Sequence, residues 1–147
     1  MIRAVFLLVV LAGPVAAQAN GTPPIRSAAT NGAYSAGQAE EGEIVYKKVC
    51  ASCHELSFHT GEDFRMNWFP RNVWDLFKIL KTTMPEDNIG GLSDDEYTRV
   101  IAYVFKLNGF PASTDSLKAD STEMRKIKIG PLATDSTKPP NSPARRR

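Results

Sequence analysis

Cys50-Ala51-Ser52-Cys53-His54 is the stretch on which the reading of this chain turns. Two thiols three positions apart can each add to one of the two vinyl groups of a haem, and the histidine that follows directly then offers an imidazole nitrogen to the iron. Other uses of the same residues fare worse. A structural zinc needs four ligands in a closed tetrahedron, and only His59 stands nearby as a further soft ligand. A thioredoxin-like redox pair needs a preceding strand and a βαβ context, and neither is visible. The protein has 2 cysteines in all, which excludes a disulfide-rich scaffold and limits covalent attachment to one haem.

Around the motif the pattern is helical. Residues 40–49 carry Ile44, Val45, Tyr46 and Val49 among Glu41, Glu43, Lys47 and Lys48. Asn72 can cap a second helix, in which Val73, Leu76, Phe77 and Leu80 recur at helical spacing. Ser93 followed by Glu96 is a capping box, and Tyr97, Val100, Ile101, Val104 and Leu107 form the apolar stripe behind it. Asn108-Gly109 and Pro111 end that stripe. Sustained period-two alternation is absent, so the expected core is all-α.

An iron held by His54 needs a partner from elsewhere in the chain. The candidates are His59, Met66, Met84 and Met124. His59 follows His54 too closely to cross a haem edge. Met66 sits among Arg65, Asn67 and Trp68 with no turn to present it, and Met124 lies in a sparse C-terminal region. Met84 directly follows the second helix, and Pro85 biases it away from helical geometry, which stops the helix and frees the side chain to turn inward. Core filling is the ordinary role of a methionine; the need of an iron for a second ligand favours Met84 here.

The 147 residues read as one domain with extensions. Residues 1–19 form a signal peptide: Arg3 gives a positive start, residues 4–11 an apolar run, and Ala17-Gln18-Ala19 a cleavage pattern before Asn20, with Val15-Ala16-Ala17 as the rival. An uncleaved anchor is the alternative, although residues 4–19 fall short of the ~20 apolar residues a span requires. Residues 20–38 read as a flexible leader, 39–111 as the domain, 112–133 as a C-terminal extension and 134–147 as a disordered basic tail. The expected location is the periplasm.

Composition excludes some classes. Apolar residues at 42% and charged residues at 23% exclude wholesale disorder. A net charge of only +2 argues against a nucleic-acid binder. The charge is divided: residues 39–111 hold 12 acids and 8 bases, whereas residues 112–147 hold 4 acids and 8 bases. Such a basic tail binds something separate, folds back on an acidic face, or is simply solvated.

Residues 39–111 resemble class I cytochrome c domains through the Cys50–His54 motif, the Met84-Pro85 pair and the amphipathic last helix. In that family a glycine and an aromatic before the motif, here Gly42 and Tyr46, let the first and last helices cross closely, with Tyr103 as their partner. A narrower likeness is to cytochrome modules of periplasmic quinoprotein or molybdenum dehydrogenases. It rests on Trp74-Asp75-Leu76-Phe77, Thr82-Thr83-Met84-Pro85-Glu86-Asp87, Gly91-Leu92-Ser93-Asp94-Asp95-Glu96-Tyr97 and the run from Ala102 to Pro111. The chain departs from the pattern at Ile89-Gly90-Gly91, where a Pro-Gly pair is usual.

These features together imply an all-α, cytochrome c-like fold around one covalent haem c. Cys50 and Cys53 would bind the haem, and His54 and Met84 would be the axial iron ligands. Phe64, Trp68, Phe69, Trp74, Phe77 and Ile101 are candidates for its apolar lining. Such an iron has no open position and passes single electrons, so the expected role is electron transport rather than enzymatic catalysis. Partner proteins would be a dehydrogenase donor and an oxidase or cytochrome acceptor, with no nucleic acid and no direct membrane contact. Glu40, Glu41, Glu43, Glu86 and Asp87 could steer a basic partner, or be a solvated face. A freely diffusing carrier to a terminal oxidase and a five-coordinate, ligand-binding haem are the alternatives.

Overall fold

Helix α2 (Ala36–Val45) and helix α5 (Asp94–Leu107) cross so closely that a side chain would not fit between them. A Cβ on Gly42 would lie 1.8 Å from the Arg99 carbonyl oxygen and 3.1 Å from the Tyr103 Cβ. Gly42 removes that obstacle. One turn later the Tyr46 and Tyr103 rings meet at 5.5 Å between centroids, and with Val100 they form a small buried cluster against which Cys50 and Leu107 pack. The crossing expected from Gly42, Tyr46 and Tyr103 is the one observed.

The computed structural model describes residues 26–131; the expected signal peptide and basic tail lie outside the described residues. In order these form β1 (Arg26–Ser27), α1 (Ala28–Asn31), α2, a π-helical turn (Tyr46–Cys50), a 3-10 turn (Leu56–His59), α3 (Gly61–Trp68), α4 (Val73–Thr83), α5, α6 (Ser121–Lys126) and β2 (Ile127–Lys128). The all-α expectation holds, the only sheet among the described residues being a two-residue parallel pairing of β1 with β2. Among the described residues no helix is long and apolar enough to cross a membrane.

Local chemistry sets the helix ends. Asn72 and Asp75 make a reciprocal capping box on α4, as Ser93 and Glu96 do on α5. Helix α4 stops at Thr83 and Met84 is already extended (φ −130°, ψ 152°), as Pro85 requires of the residue before it. The first helix begins earlier than the expected residue 40, because the Ser35 side chain accepts from the Gln38 N–H and caps it. It also does not end as an α-helix: the Ala51 N–H reaches back to the Tyr46 carbonyl at 3.0 Å, which closes a π turn.

Two expected boundaries are corrected. Much of the supposed flexible leader at residues 20–38 is core: Ala28, Ala33 and Tyr34 are buried, and the Tyr34 hydroxyl donates to the Phe110 carbonyl at 2.7 Å. Gly32, at φ 67°, lets this segment run against Ala112 and Ser113, where a Cβ would approach to 2.9 Å. The supposed extension after residue 111 is core as well. Leu117, Met124, Ile127 and Ile129 are buried in the same cluster as Phe64, Phe77 and Phe105. The buried Gln38 amide clamps it in place, accepting from the Leu117 N–H and donating to the Leu117 carbonyl, both at 2.8 Å. A paired amide costs little to bury, whereas either half left alone would cost about 1–3 kcal/mol.

Two glycines of α2 should respond oppositely to alanine. Gly42→Ala forces the helices apart and should cost about 3 kcal/mol, lowering the melting temperature by roughly 10–20 °C. Gly37, with nothing within 4 Å of its would-be Cβ, should tolerate alanine or gain about 0.5–1 kcal/mol. Thermal unfolding of the two variants checks both.

The α5 capping box should show in acid. Hydrogen bonds from the Ser93 backbone and then its hydroxyl hold the Glu96 carboxyl below its ordinary value of 4.5. Its contribution is therefore complete above that value and is lost as the pH falls through the lower folded value. In Glu96→Gln, unfolding free energy measured by denaturant titration should depend less on pH between about pH 5 and 3 than in the wild type.

Candidate functional site

The motif lies where the π turn gives way to an irregular loop. Cys50 is half-buried and Cys53 exposed, and both thiols are free. The Cys50 carbonyl accepts from two amides, Cys53 N–H at 3.1 Å and His54 N–H at 2.9 Å. That pair of bonds folds residues 50–54 into one tight turn. Burial pushes the Cys50 thiol above its ordinary pKa, so it is protonated at neutral pH. His54 is half-buried, and its carbonyl accepts from the Tyr46 hydroxyl at 3.3 Å. The tyrosine at the helix crossing therefore also holds the histidine of the motif.

The four candidates for a second iron ligand separate clearly. Met124, on α6, is fully buried in the core, and Met66 is 67% exposed on α3. His59 stacks edge-on against His54 with ring centroids 5.1 Å apart. Burial, followed by the nearby His54, lowers its pKa, so it is neutral at pH 7. Met84 is half-buried at the end of α4. Its N–H bonds the Leu80 carbonyl at 2.9 Å, and its carbonyl accepts from the Tyr97 hydroxyl at 2.7 Å. The loop that follows turns back on itself through Asn88 N–H to Pro85 O at 3.0 Å and Gly91 N–H to Asn88 O at 2.9 Å.

The aromatic residues expected as lining divide. Phe64, Phe77 and Ile101 are buried in the protein's own core, with Trp68, Phe69 and Trp74 packed at its edge. Trp74 stacks on Phe77, and the Arg125 guanidinium lies over the Trp74 ring, 5.2 Å from its centroid. By contrast, Leu56 and Phe58 just after the motif, and Ile79 and Ile89 on either side of Met84, are left between 38% and 61% exposed. Large apolar side chains left open in the same segments that carry two free thiols, an imidazole and a thioether are a chemical set that suits a covalently held apolar macrocycle. Among the described residues no three His, Cys, Asp or Glu side chains form a group that could hold a bare metal ion.

Asn108, read from sequence only as a helix stop, does more. Its side-chain amide donates to the His59 carbonyl at 2.8 Å and accepts from the Gly61 N–H at 3.1 Å, fastening the loop after the motif to the end of α5. The Tyr97 hydroxyl was equally hidden, since the residue counts as apolar in a helical stripe. Neither role leaves a signal in spacing or composition.

Residues 37–104 match the family model described as cytochrome C oxidase, cbb3-type, subunit III. No curated protein and no solved structure matches the chain. The matched segment runs from α2 through the motif and Met84 into α5, and it supports a c-type cytochrome: a haem electron-transfer protein with the all-α, cytochrome c-like fold.

Proposed function

We propose that this protein is a mono-haem c-type cytochrome that carries single electrons between periplasmic redox partners, as the electron-acceptor subunit of a dehydrogenase. The observation that carries the haem reading is the turn at residues 50–54, which holds two free thiols and the following imidazole in one tight loop closed by the Cys53 and His54 amides on the Cys50 carbonyl. Cys50 and Cys53 would hold the haem c through two thioether links, and His54 and Met84 would take the two axial positions of its iron. When bound, that group supplies a one-electron ferrous–ferric couple. The chain's own residues do the rest. Tyr46 holds the His54 backbone, and the end of α4 presents Met84. Held by both His54 and Met84, the iron would offer no open site to a substrate, which supports transfer rather than catalysis.

The dehydrogenase assignment rests on the likeness of the segments around Trp74, Met84 and Ala102, and the periplasmic one on the apolar N-terminal run and its Ala17-Gln18-Ala19 pattern. A carrier delivering electrons to a terminal oxidase is the second reading, favoured by the oxidase named in the matching family's description. Affinity capture of the native protein from its own periplasm distinguishes them: recovery with a dehydrogenase supports the first and recovery with an oxidase the second.

Replacing both Cys50 and Cys53 with alanine should abolish haem that survives denaturation, because each thiol makes one link. Haem retained by the denatured double variant would overturn the attachment site.

For the axial position, the ferrous wild type should bind carbon monoxide poorly at neutral pH, and Met84→Ala should bind it readily with a lower reduction potential. The exposed Met66 provides the control, since Met66→Ala should change neither. Rapid carbon monoxide binding by the wild type, unaltered in Met84→Ala, would favour the five-coordinate alternative.

A further inference from the structure

Met84 sits where a helix ends and its backbone would ordinarily be free to move. The last carbonyls of a helix lack intrahelical partners, and Pro85 has no N–H to offer to a following turn. The Thr82 and Thr83 hydroxyls fold back one turn into the helix, donating to the Lys78 carbonyl at 2.8 Å and the Ile79 carbonyl at 2.7 Å, and so do not serve the carbonyls at its end. The Met84 carbonyl instead takes its strong hydrogen bond from across the fold. The Tyr97 hydroxyl reaches it at 2.7 Å, while the Gly90 N–H stands at 3.5 Å.

Tyr97 is well placed to hold a fixed point. It lies in the first turn of α5, behind the Ser93–Glu96 capping box, and its ring is 2% exposed. The Phe77 ring packs edge-on against it at 6.1 Å. An ion pair between Lys81 and Asp94 ties the same two helix ends together on the outside. Met84 is thus pinned at both polar atoms of its backbone, through its N–H to α4 and through its carbonyl to α5.

We propose that Tyr97 is a positioning residue for Met84: its hydroxyl fixes the backbone from which the Met84 side chain reaches the haem iron, and so sets how readily an outside ligand displaces that side chain. The proposal rests on the reading of Met84 as an axial ligand. In this role Tyr97 acts through the Met84 carbonyl. Removing the hydroxyl while keeping the ring should leave the core filled and loosen only the point from which Met84 extends.

The test is an imidazole titration of the ferric, haem-loaded protein at neutral pH, comparing the wild type with Tyr97→Phe, Tyr34→Phe and Met84→Ala. Tyr34 is the matched control. Its hydroxyl also donates to a backbone carbonyl at 2.7 Å, that of Phe110, beyond the far end of α5. Both phenylalanine variants should melt at a lower temperature. Tyr97→Phe alone should bind imidazole about three- to tenfold more tightly than the wild type, the range expected for one lost hydrogen bond. Met84→Ala should bind it more tightly still. Wild-type affinity in Tyr97→Phe, with Met84→Ala still tightened, would overturn the positioning role and leave the ligand assignment standing. An equal gain in Tyr34→Phe would overturn it too, by showing general loosening. No change in Met84→Ala would overturn both readings.

Discussion

The contact of Gly42 with the Arg99 carbonyl decides where everything else in this protein can lie. A Cβ 1.8 Å from a carbonyl oxygen cannot be accommodated by a rotamer change, because both partners are backbone. The two helices therefore meet at one depth and one register. Ion pairs decorate the crossing, with Arg99 reaching Glu41 at 3.1 Å and Asp95 at 2.7 Å. Such exposed pairs contribute about 0–1 kcal/mol each, too little to enforce the geometry that backbone sterics impose. From the crossing, α2 carries Gln38 one turn back to the clamp on Leu117 and Tyr46 one turn forward to the π turn that ends in Cys50.

Helix α5 then serves as the common support of the site. Near its start Tyr97 holds the Met84 carbonyl; in its middle Tyr103 packs on Tyr46, which holds the His54 carbonyl; just past its end Asn108 holds the loop between His59 and Gly61. The motif, the loop just after it and the Met84 turn are all referred to one rigid element. A helix of 14 residues is about 20 Å long, so a single straight element gives each segment its own fixed anchor. The apolar stripe on the same helix, Val100, Ile101 and Val104, binds that support to the core.

Local signals in the sequence survived translation into structure, whereas the long-range crossing of Gly42 and Tyr46 with Tyr103 was implied by the family likeness and not by spacing. The caps at Asn72 and Ser93 and the break at Pro85 each depend on neighbours within a few residues, and each stands where the sequence puts it. The motif at residues 50–54 is local in the same way, its turn closed by amides within four residues of Cys50. Residues 26–35 and 113–129 were misread because their buried residues are small or solitary. Ala28 and Ala33 are not conspicuous, and Leu117, Met124, Ile127 and Ile129 form no periodic run. Their burial depends on contacts such as Tyr34 with Phe110 and Gln38 with Leu117, more than seventy residues away. The hydroxyl of Tyr97 and the amide of Asn108 were invisible because a helical stripe and a helix stop explain those residues equally well.

On the proposed reading, the two axial side chains place unequal demands on the fold. An imidazole is a rigid ring on a short stem, and His54 extends from a turn already fixed by two amides on the Cys50 carbonyl. A methionine has three rotatable bonds and a weakly bonding thioether, so more freedom must be lost for less gained. Ordering one residue's backbone costs about 1–2 kcal/mol, and a fold that has already met that cost leaves the thioether only its own torsions to restrict. The hydrogen bonds follow that asymmetry. Both phenols belong to buried rings, but the one on the histidine side is 3.3 Å from its carbonyl, whereas the one on the methionine side is at 2.7 Å. The shorter bond supports the ligand that can least hold itself in place.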